Sequence, residues 1–299
     1  MGEFHFSRYP EAYWEEEILK MKASGVRIIS TYVFWIHIEE VEGQFDWSGQ
    51  RNLREFALLC AKHGMLLYPR IGPWAHGEAR NGGLPDWVVK NSSIRSNDPV
   101  YLSEVRRFYA QIGGQLHGLL WKDGGPVIGI QIENEYSLRG PGKGREHLAT
   151  LKRMAIESGL DVPLYTVTGW DNAVVPADLF LPVYGGYPDA PWDGSTSVLP
   201  PSEVYSFRFG SRVTGDMGAH ADGNVPNAER DAKLRSEVPF LTAEVGGGMQ
   251  DTYHRRPALA ADDIEAMIPV MIGSGANLLG CYMYQGGENP DGKLTTLQE

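Results

Sequence analysis

Glu133, Asn134 and Glu135 close an apolar run in the segment GGPVIGIQIENEYS, residues 124–137. Glu244 ends a second apolar run, VPFLTAEVG, and Glu78 follows a third through RIGPWAHGE. An unpaired carboxylate is costly to bury, so a purely structural role would require an arginine or a set of amide donors beside each one. Two carboxylates that converge from separate elements suit hydrolysis of a glycosidic bond. One donates a proton to the leaving oxygen, and the other stabilises or attacks the anomeric carbon. Carboxyl groups about 5 to 5.5 Å apart give retention through a glycosyl-enzyme, whereas about 6.5 to 9.5 Å leaves room for an inverting water.

Such side chains need a frame, and the chain alternates strand-like apolar runs with amphipathic helical patterns throughout its length. Eight strands are predicted near residues 3–6, 27–34, 65–72, 126–133, 163–168, 178–184, 239–245 and 277–284. Between them, PEAYWEEEILKMKASG carries Trp14, Ile18, Leu19 and Met21 at helical spacing, with Gly25 as a stop. NLREFALLCAKHG, YLSEVRRFYAQIGGQLHGLL, REHLATLKRMAIESG, NAERDAKLRSE and DDIEAMIPVMIGSG read as further helices, while about residues 185 to 225 read as a long loop rich in Gly, Pro and Asp. The alternation predicts an α/β fold, a (β/α)8 TIM barrel over residues 1–299 as one domain. A doubly wound open sheet competes with it. The first strand-to-helix turn, FHFSRYPEAYW, lacks the dinucleotide glycine fingerprint, and no GxxxxGK[ST] occurs, so the barrel is favoured. About fifteen residues follow the eighth strand, little room for the helix that normally comes next. In a barrel the active site gathers at the C-terminal ends of the strands, where Glu135, Glu244 and Glu78 all fall.

With the strands in place, GGPVIGIQIENEYS resembles the signature of glycoside hydrolase family 35, the β-galactosidase family. HFSRYPEAYWEEEILKMKASG, TYVFWIHIEEVEGQFDWSG, RIGPWAHGEARNGGLPDW and MYQGGENP follow in that family's order and cover almost the whole chain. The resemblance implies a retaining exo-glycosidase that releases terminal β-linked galactose, with Glu135 as general acid/base and Glu244 as nucleophile. It assigns Asn134 to the sugar 2-hydroxyl, Tyr32 to the galactosyl unit, Glu78 to sugar hydroxyls and Gly77 to a backbone contact. Glu133, two residues before Glu135 and on the same face if the strand continues, is expected one layer deeper, paired with Arg70 or Arg8. His5 and Arg8, ending the first strand, are expected to orient carboxylates beneath the site. Family members often continue into β-rich domains after the barrel. Where familiar members carry aromatic residues after the nucleophile, this chain has Glu244-Val245-Gly246-Gly247-Gly248, and the loop YPDAPWDGSTS has no placed counterpart. Exo-acting glucosaminidase and arabinopyranosidase, also in the family, therefore stay open, and Gly246 is a place where a different group could enter. Of Trp35, Trp74, Trp87, Trp170 and Trp192, the sequence favours Trp170 or Trp192 for stacking on sugar.

Composition narrows the partners. With 27 basic against 38 acidic residues and a net charge of −11, nucleic acid is not expected. No apolar run reaches the ~18 residues of a membrane span, and the N-terminus has no basic region leading an apolar one. The chain as it stands is expected in the cytoplasm, or in the periplasm or outside the cell if a leader was trimmed. The oligomeric state is not specified. Cys60 and Cys281 lie in apolar segments without zinc or thioredoxin spacing and are expected as packed thiols. His5, His37, His76 and His254 offer metal-dependent hydrolysis as an alternative chemistry, but no HxH or HExxH pairing occurs, so neither metal nor organic cofactor is expected. A non-catalytic sugar-binding barrel is a further alternative, disfavoured by the presence of both candidate catalytic glutamates.

Overall fold

Eight short strands form where the apolar runs predict them: β1 (Gly2–Phe4), β2 (Ile28–Tyr32), β3 (Leu66–Arg70), β4 (Ile130–Gln131), β5 (Leu164–Val167), β6 (Leu181–Gly186), β7 (Leu241–Gly246) and β8 (Cys281–Gln285). In the computed structural model they pair in parallel, each with its sequence neighbour, and β8 returns to β1 to close a barrel. The structure describes residues 1–167, 173–176, 178–190, 192–197, 205, 207, 238–246 and 252–299. The helix expected over residues 227–237, most of the long loop and Trp170 lie outside them.

Helices α1 (Trp14–Ala23), α2 (Trp35–Ile38), α3 (Leu53–Lys62), α4 (Asp86–Asn91), α5 (Pro99–Leu116), α6 (Gly144–Glu157) and α7 (Ala261–Gly273) fill the connections among the described residues. Their starts follow local chemistry. The Asn52 side chain accepts from Glu55 N at 3.0 Å, and the Asp98 side chain accepts from Tyr101 N at 2.9 Å ahead of Pro99 in the first turn. The four-residue α2 and six-residue α4 are too short to show a helical period in the sequence.

Strand alternation sorts the side chains into two layers. Phe4, Ile29, Leu67 and Ile130 face outward and join Trp14, Ile18, Phe56, Val105 and Phe108 in the main core between barrel and helices. Phe56 packs edge-on with Phe4 at 5.5 Å and Trp14 at 5.2 Å, and Trp35 stacks on Phe108 at 4.6 Å. The alternate positions Glu3, Ser30, Tyr68, Arg70 and Gln131 are buried on the inner side, so the barrel interior beneath its mouth is polar. That is unlike the branched aliphatic layers that usually fill such barrels.

After β8 the chain forms no helix. Residues 286–299 turn back over the loop that follows β3, where Arg80 N donates to Leu297 O at 3.0 Å and Leu297 is buried. The Glu40 carboxylate anchors this segment by accepting from Leu294 N at 2.7 Å and Thr295 N at 2.9 Å.

Candidate active site

Arg70 ends β3 in register with Tyr32 on β2 and Gln131 on β4, so its guanidinium sits at the centre of the barrel mouth, fully buried. It lies 3.9 Å over the Tyr32 ring, with Nη1 3.3 Å from Glu3 Oε2. Its Nη2 donates to Asn134 Oδ1 at 3.0 Å and to Glu244 Oε1. The Tyr187 hydroxyl donates to the other Glu244 oxygen, Oε2, at 3.0 Å. Burial raises the Glu244 carboxyl above its ordinary value against the pull of Arg70, and the charge of Glu135 adds to the rise. The charges of Glu244 and Glu135 also both reach the Tyr187 hydroxyl, whose pKa burial pushes well up.

The segment after β4 does not continue as a strand. Glu133 and Glu135 have φ of 59° and 48°, in the left-handed region, which breaks the two-residue alternation expected of them. Asn134 consequently turns its side chain inward, where Arg70 and, at 3.1 Å, Gln131 Nε2 both donate to its Oδ1. Glu133 is fully buried, as a supporting residue should be, but its cation is Arg95 rather than Arg70 or Arg8. Arg95 donates to Glu133 Oε2 through Nη2 at 2.7 Å and Nε at 3.2 Å, and its Nη2 also reaches Asn134 O at 2.8 Å. A non-glycine residue held in this region costs about 1 to 3 kcal/mol, so the clamp that holds two of them is part of the site. Arg95 lies in NSSIRSNDP, a loop with no motif; only the requirement that a buried Glu133 must have a cation pointed towards it.

The loop after β3 supplies the opposite wall. His76, Gly77 and Glu78 are consecutive left-handed residues, with φ of 57°, 62° and 52°. A Cβ on Gly77 would meet Phe34 Cε1 at 2.8 Å, and its carbonyl accepts from Arg8 Nη2. His76 Nδ1 lies 3.2 Å from Glu135 Oε2 and 3.1 Å from Asn134 Nδ2. Glu78 stands beside them, its carboxyl raised by burial with help from Glu299 and Glu244, while Arg8 opposes. Beneath, His5 bridges Glu3 Oε1 at 2.9 Å and Arg8 Nη1 at 3.1 Å. Burial holds the His5 imidazole down to about 4.

The tryptophans divide. Trp35 and Trp87 pack edge to face at 5.9 Å in the outer core, and Trp74 lies under the Arg95 guanidinium at 4.6 Å. Trp192 is edge-on to Tyr187 at 5.3 Å, as Trp74 is to His76 at 5.2 Å. The space over Gly246 is not open to a ligand group: a Cβ there would meet Tyr187 Cδ1 at 2.7 Å. Tyr187 opens the unplaced loop YPDAPWDGSTS, so an aromatic arrives at Glu244 from the end of β6 instead of following it on β7. Sequence reasoning missed Tyr187, and also Tyr282 near the start of β8, whose ring lies 5.8 Å from the Arg70 guanidinium. His37 pairs with Ser7 Oγ at 2.8 Å, and His254 lies 2.7 Å from Asp193 O, both apart from the carboxylates. Among the described residues no three His, Cys, Asp or Glu side chains are grouped as a metal site.

A closed parallel barrel in which Glu135 after β4 and Glu244 on β7 are linked through His76, Asn134 and Arg70 defines the class, a barrel of the glycoside hydrolase type. The chain belongs to glycosyl hydrolases family 35, whose model matches residues 1–291. It is 34% identical to a beta-galactosidase of Bos taurus over 292 residues, 96% of this chain and 40% of the relative. It is 38% identical to a beta-galactosidase of Homo sapiens over 171 residues, 56% of this chain and 25% of the relative. The chain thus spans less than half the length of these relatives. Among solved structures, a beta-galactosidase from the psychrophilic Marinomonas ef1 superposes with a TM-score of 0.63 at 13% identity, covering 96% of this chain and 55% of that one. Exo-beta-1,4-mannosidase Op5Man5 from Opitutaceae bacterium strain TAV5 superposes at 0.58 and 16%, covering 95% and 51%. At those identities the likeness concerns the fold alone. No helix among the described residues is long and apolar enough to cross a membrane.

Proposed function

We propose that this chain is the catalytic barrel of a retaining exo-β-galactosidase in which Glu244 is the nucleophile and Glu135 the acid/base. The observation that carries the reading is geometric: Arg70 and Tyr187 hold the two oxygens of Glu244, and the same Arg70 holds Asn134, which shares His76 Nδ1 with Glu135. In the first step a Glu244 oxygen forms a bond to the anomeric carbon as the glycosidic bond breaks. The bonding pair leaves with the aglycone oxygen, which takes the proton of Glu135. In the second step water attacks the anomeric carbon and gives its proton to Glu135, and the bond to Glu244 breaks. Arg70 offsets the Glu244 charge while it waits, and Tyr187 fixes the direction of attack. Asn134, oriented by Arg70 and Gln131, is placed to bind the 2-hydroxyl, with Tyr32, Gly77 and Glu78 around the remainder of the sugar. Galactose as the released sugar is supported by the family and by the names of the curated relatives.

A panel of nitrophenyl glycosides tests this reading. Turnover of the β-galactoside, with the β-anomer of free galactose appearing first by proton NMR, is expected. Preference for the glucosaminide or arabinopyranoside would replace the sugar assignment, an α-anomer would replace retention, and silence on all three would favour the non-catalytic sugar-binding barrel.

A further inference from the structure

His76 Nδ1 faces two partners with opposite demands. Glu135 Oε2, at 3.2 Å, is an acceptor whenever the carboxylate is ionised and requires a proton on Nδ1. Asn134 Nδ2, at 3.1 Å, is a donor and requires the Nδ1 lone pair. The amide cannot be turned round to relieve the conflict, because Arg70 and Gln131 both donate to its Oδ1. The ring packs edge-on against Trp74 at 5.2 Å, and Trp74 is covered in turn by Arg95. One nitrogen atom thus serves both hydrogen bonds, one at a time.

We propose that His76 is a positioning residue that couples the charge state of Glu135 to the orientation of Asn134, by exchanging Nδ1 between donating to the carboxylate and accepting from the amide. When Glu135 carries its proton for the leaving group, Nδ1 accepts from Asn134 and holds the amide that faces the sugar. Once the proton has gone to the aglycone, the new carboxylate draws a proton onto Nδ1, and Asn134 is released from the ring. The ring keeps its charge: a proton leaves Nε2 to solvent and another arrives at Nδ1, which the 43% side-chain exposure of His76 allows. The charged groups bearing on the ring are Glu135, Glu78 behind it and Arg95 beyond Trp74.

This inference rests on the roles proposed for Glu135 and Asn134, so its test has one arm that needs no turnover. In full-length protein with 15N-labelled histidine, the His76 ring signals are assigned by their loss in His76→Asn. At a pH above the basic limb of the activity profile, where Glu135 is ionised, neutral His76 is expected as the Nδ1–H tautomer in the wild type and as the Nε2–H tautomer in Glu135→Ala. Glu135→Gly, better suited to the φ of 48°, serves as the second truncation. The same tautomer in wild type and truncations overturns the proposal, whatever the enzyme hydrolyses. On aryl galactosides, His76→Ala should lower kcat/KM for poor leaving groups roughly tenfold and move the basic limb of the pH profile upward, because a donor favouring the ionised carboxylate is gone. His76→Asn, which keeps a donor near the Nδ1 position, should return the limb towards wild type. A change in KM alone with an unmoved profile would make His76 merely structural. A tautomer switch in a protein inactive on galactosides would support the coupling and sink the substrate assignment instead.

Discussion

At the scale of single residues, the site is organised around a charge excess. Glu3, Glu244, Glu135 and Glu78 gather near two arginines, Arg70 and Arg8, and only Arg70 is shared by Glu3 and Glu244. Burial and acidic neighbours raise the Glu244 and Glu78 carboxyls above their ordinary values, which suits Glu244 to the attack proposed for it. The division of labour predicts a leaving-group signature. Glu135→Ala should slow hydrolysis by about 10² to 10⁴ for poorly activated leaving groups, far less for dinitrophenyl galactoside, and azide should restore part of the turnover. Equal losses across leaving groups would remove Glu135 from the acid role. Glu135, Asn134 and Glu244 are legible in the sequence because polar residues closing apolar runs are conspicuous. The partner of Glu133 is not legible, because two left-handed residues turn the chain where strand periodicity assumes it runs straight.

At the scale of elements, β4 contributes only Ile130–Gln131 to the sheet, and everything chemical about it happens after it stops. The sequence shows a longer apolar run there because Val127 is also buried, through isolated bridges to Leu67 and Leu120. β6 and β7 make the complementary arrangement. Their register shifts between Tyr184 and Gly185, so Gly185 lies beside Glu244, and Gly246 leaves room for Tyr187 against the Glu244 carboxylate. A residue from one strand's loop fitting against a glycine on the next is invisible to patterning within either segment. Gly246→Ala should displace Tyr187 and remove its hydrogen bond to Glu244, lowering kcat about 10- to 100-fold, the range for losing a hydrogen bond to a charged group. Tyr187→Phe should show a similar loss, and the double variant little more than either alone. Additive losses would show that the two positions act separately.

At the scale of the whole molecule, the closed order of eight strands is what the alternating pattern encodes, and it brings residues 135 and 244 to one mouth from distant parts of the chain. Burying a polar mouth has a pH consequence. His5, held down to about 4, and His147, to about 3, stay neutral in the fold because burial disfavours their charge, whereas the unfolded chain protonates them near 6.5. Between those values the unfolded state binds more protons, so stability should fall as pH drops from about 6.5 towards 4, with His5 alone worth on the order of 3 kcal/mol. Urea midpoints measured from pH 7 to 4.5 should decline over this window, and His147→Gln should flatten the slope; a flat profile in the wild type would mean that these histidines ionise as freely as in the unfolded chain. The central claim, that Glu244 and Glu135 serve one anomeric carbon, is tested most directly by inactivating the protein with a 2-deoxy-2-fluoro-β-galactosyl fluoride and locating the adduct by peptide mass spectrometry. The fluorosugar is expected on Glu244, with none formed in Glu244→Gln; an adduct on any other residue would contradict the account.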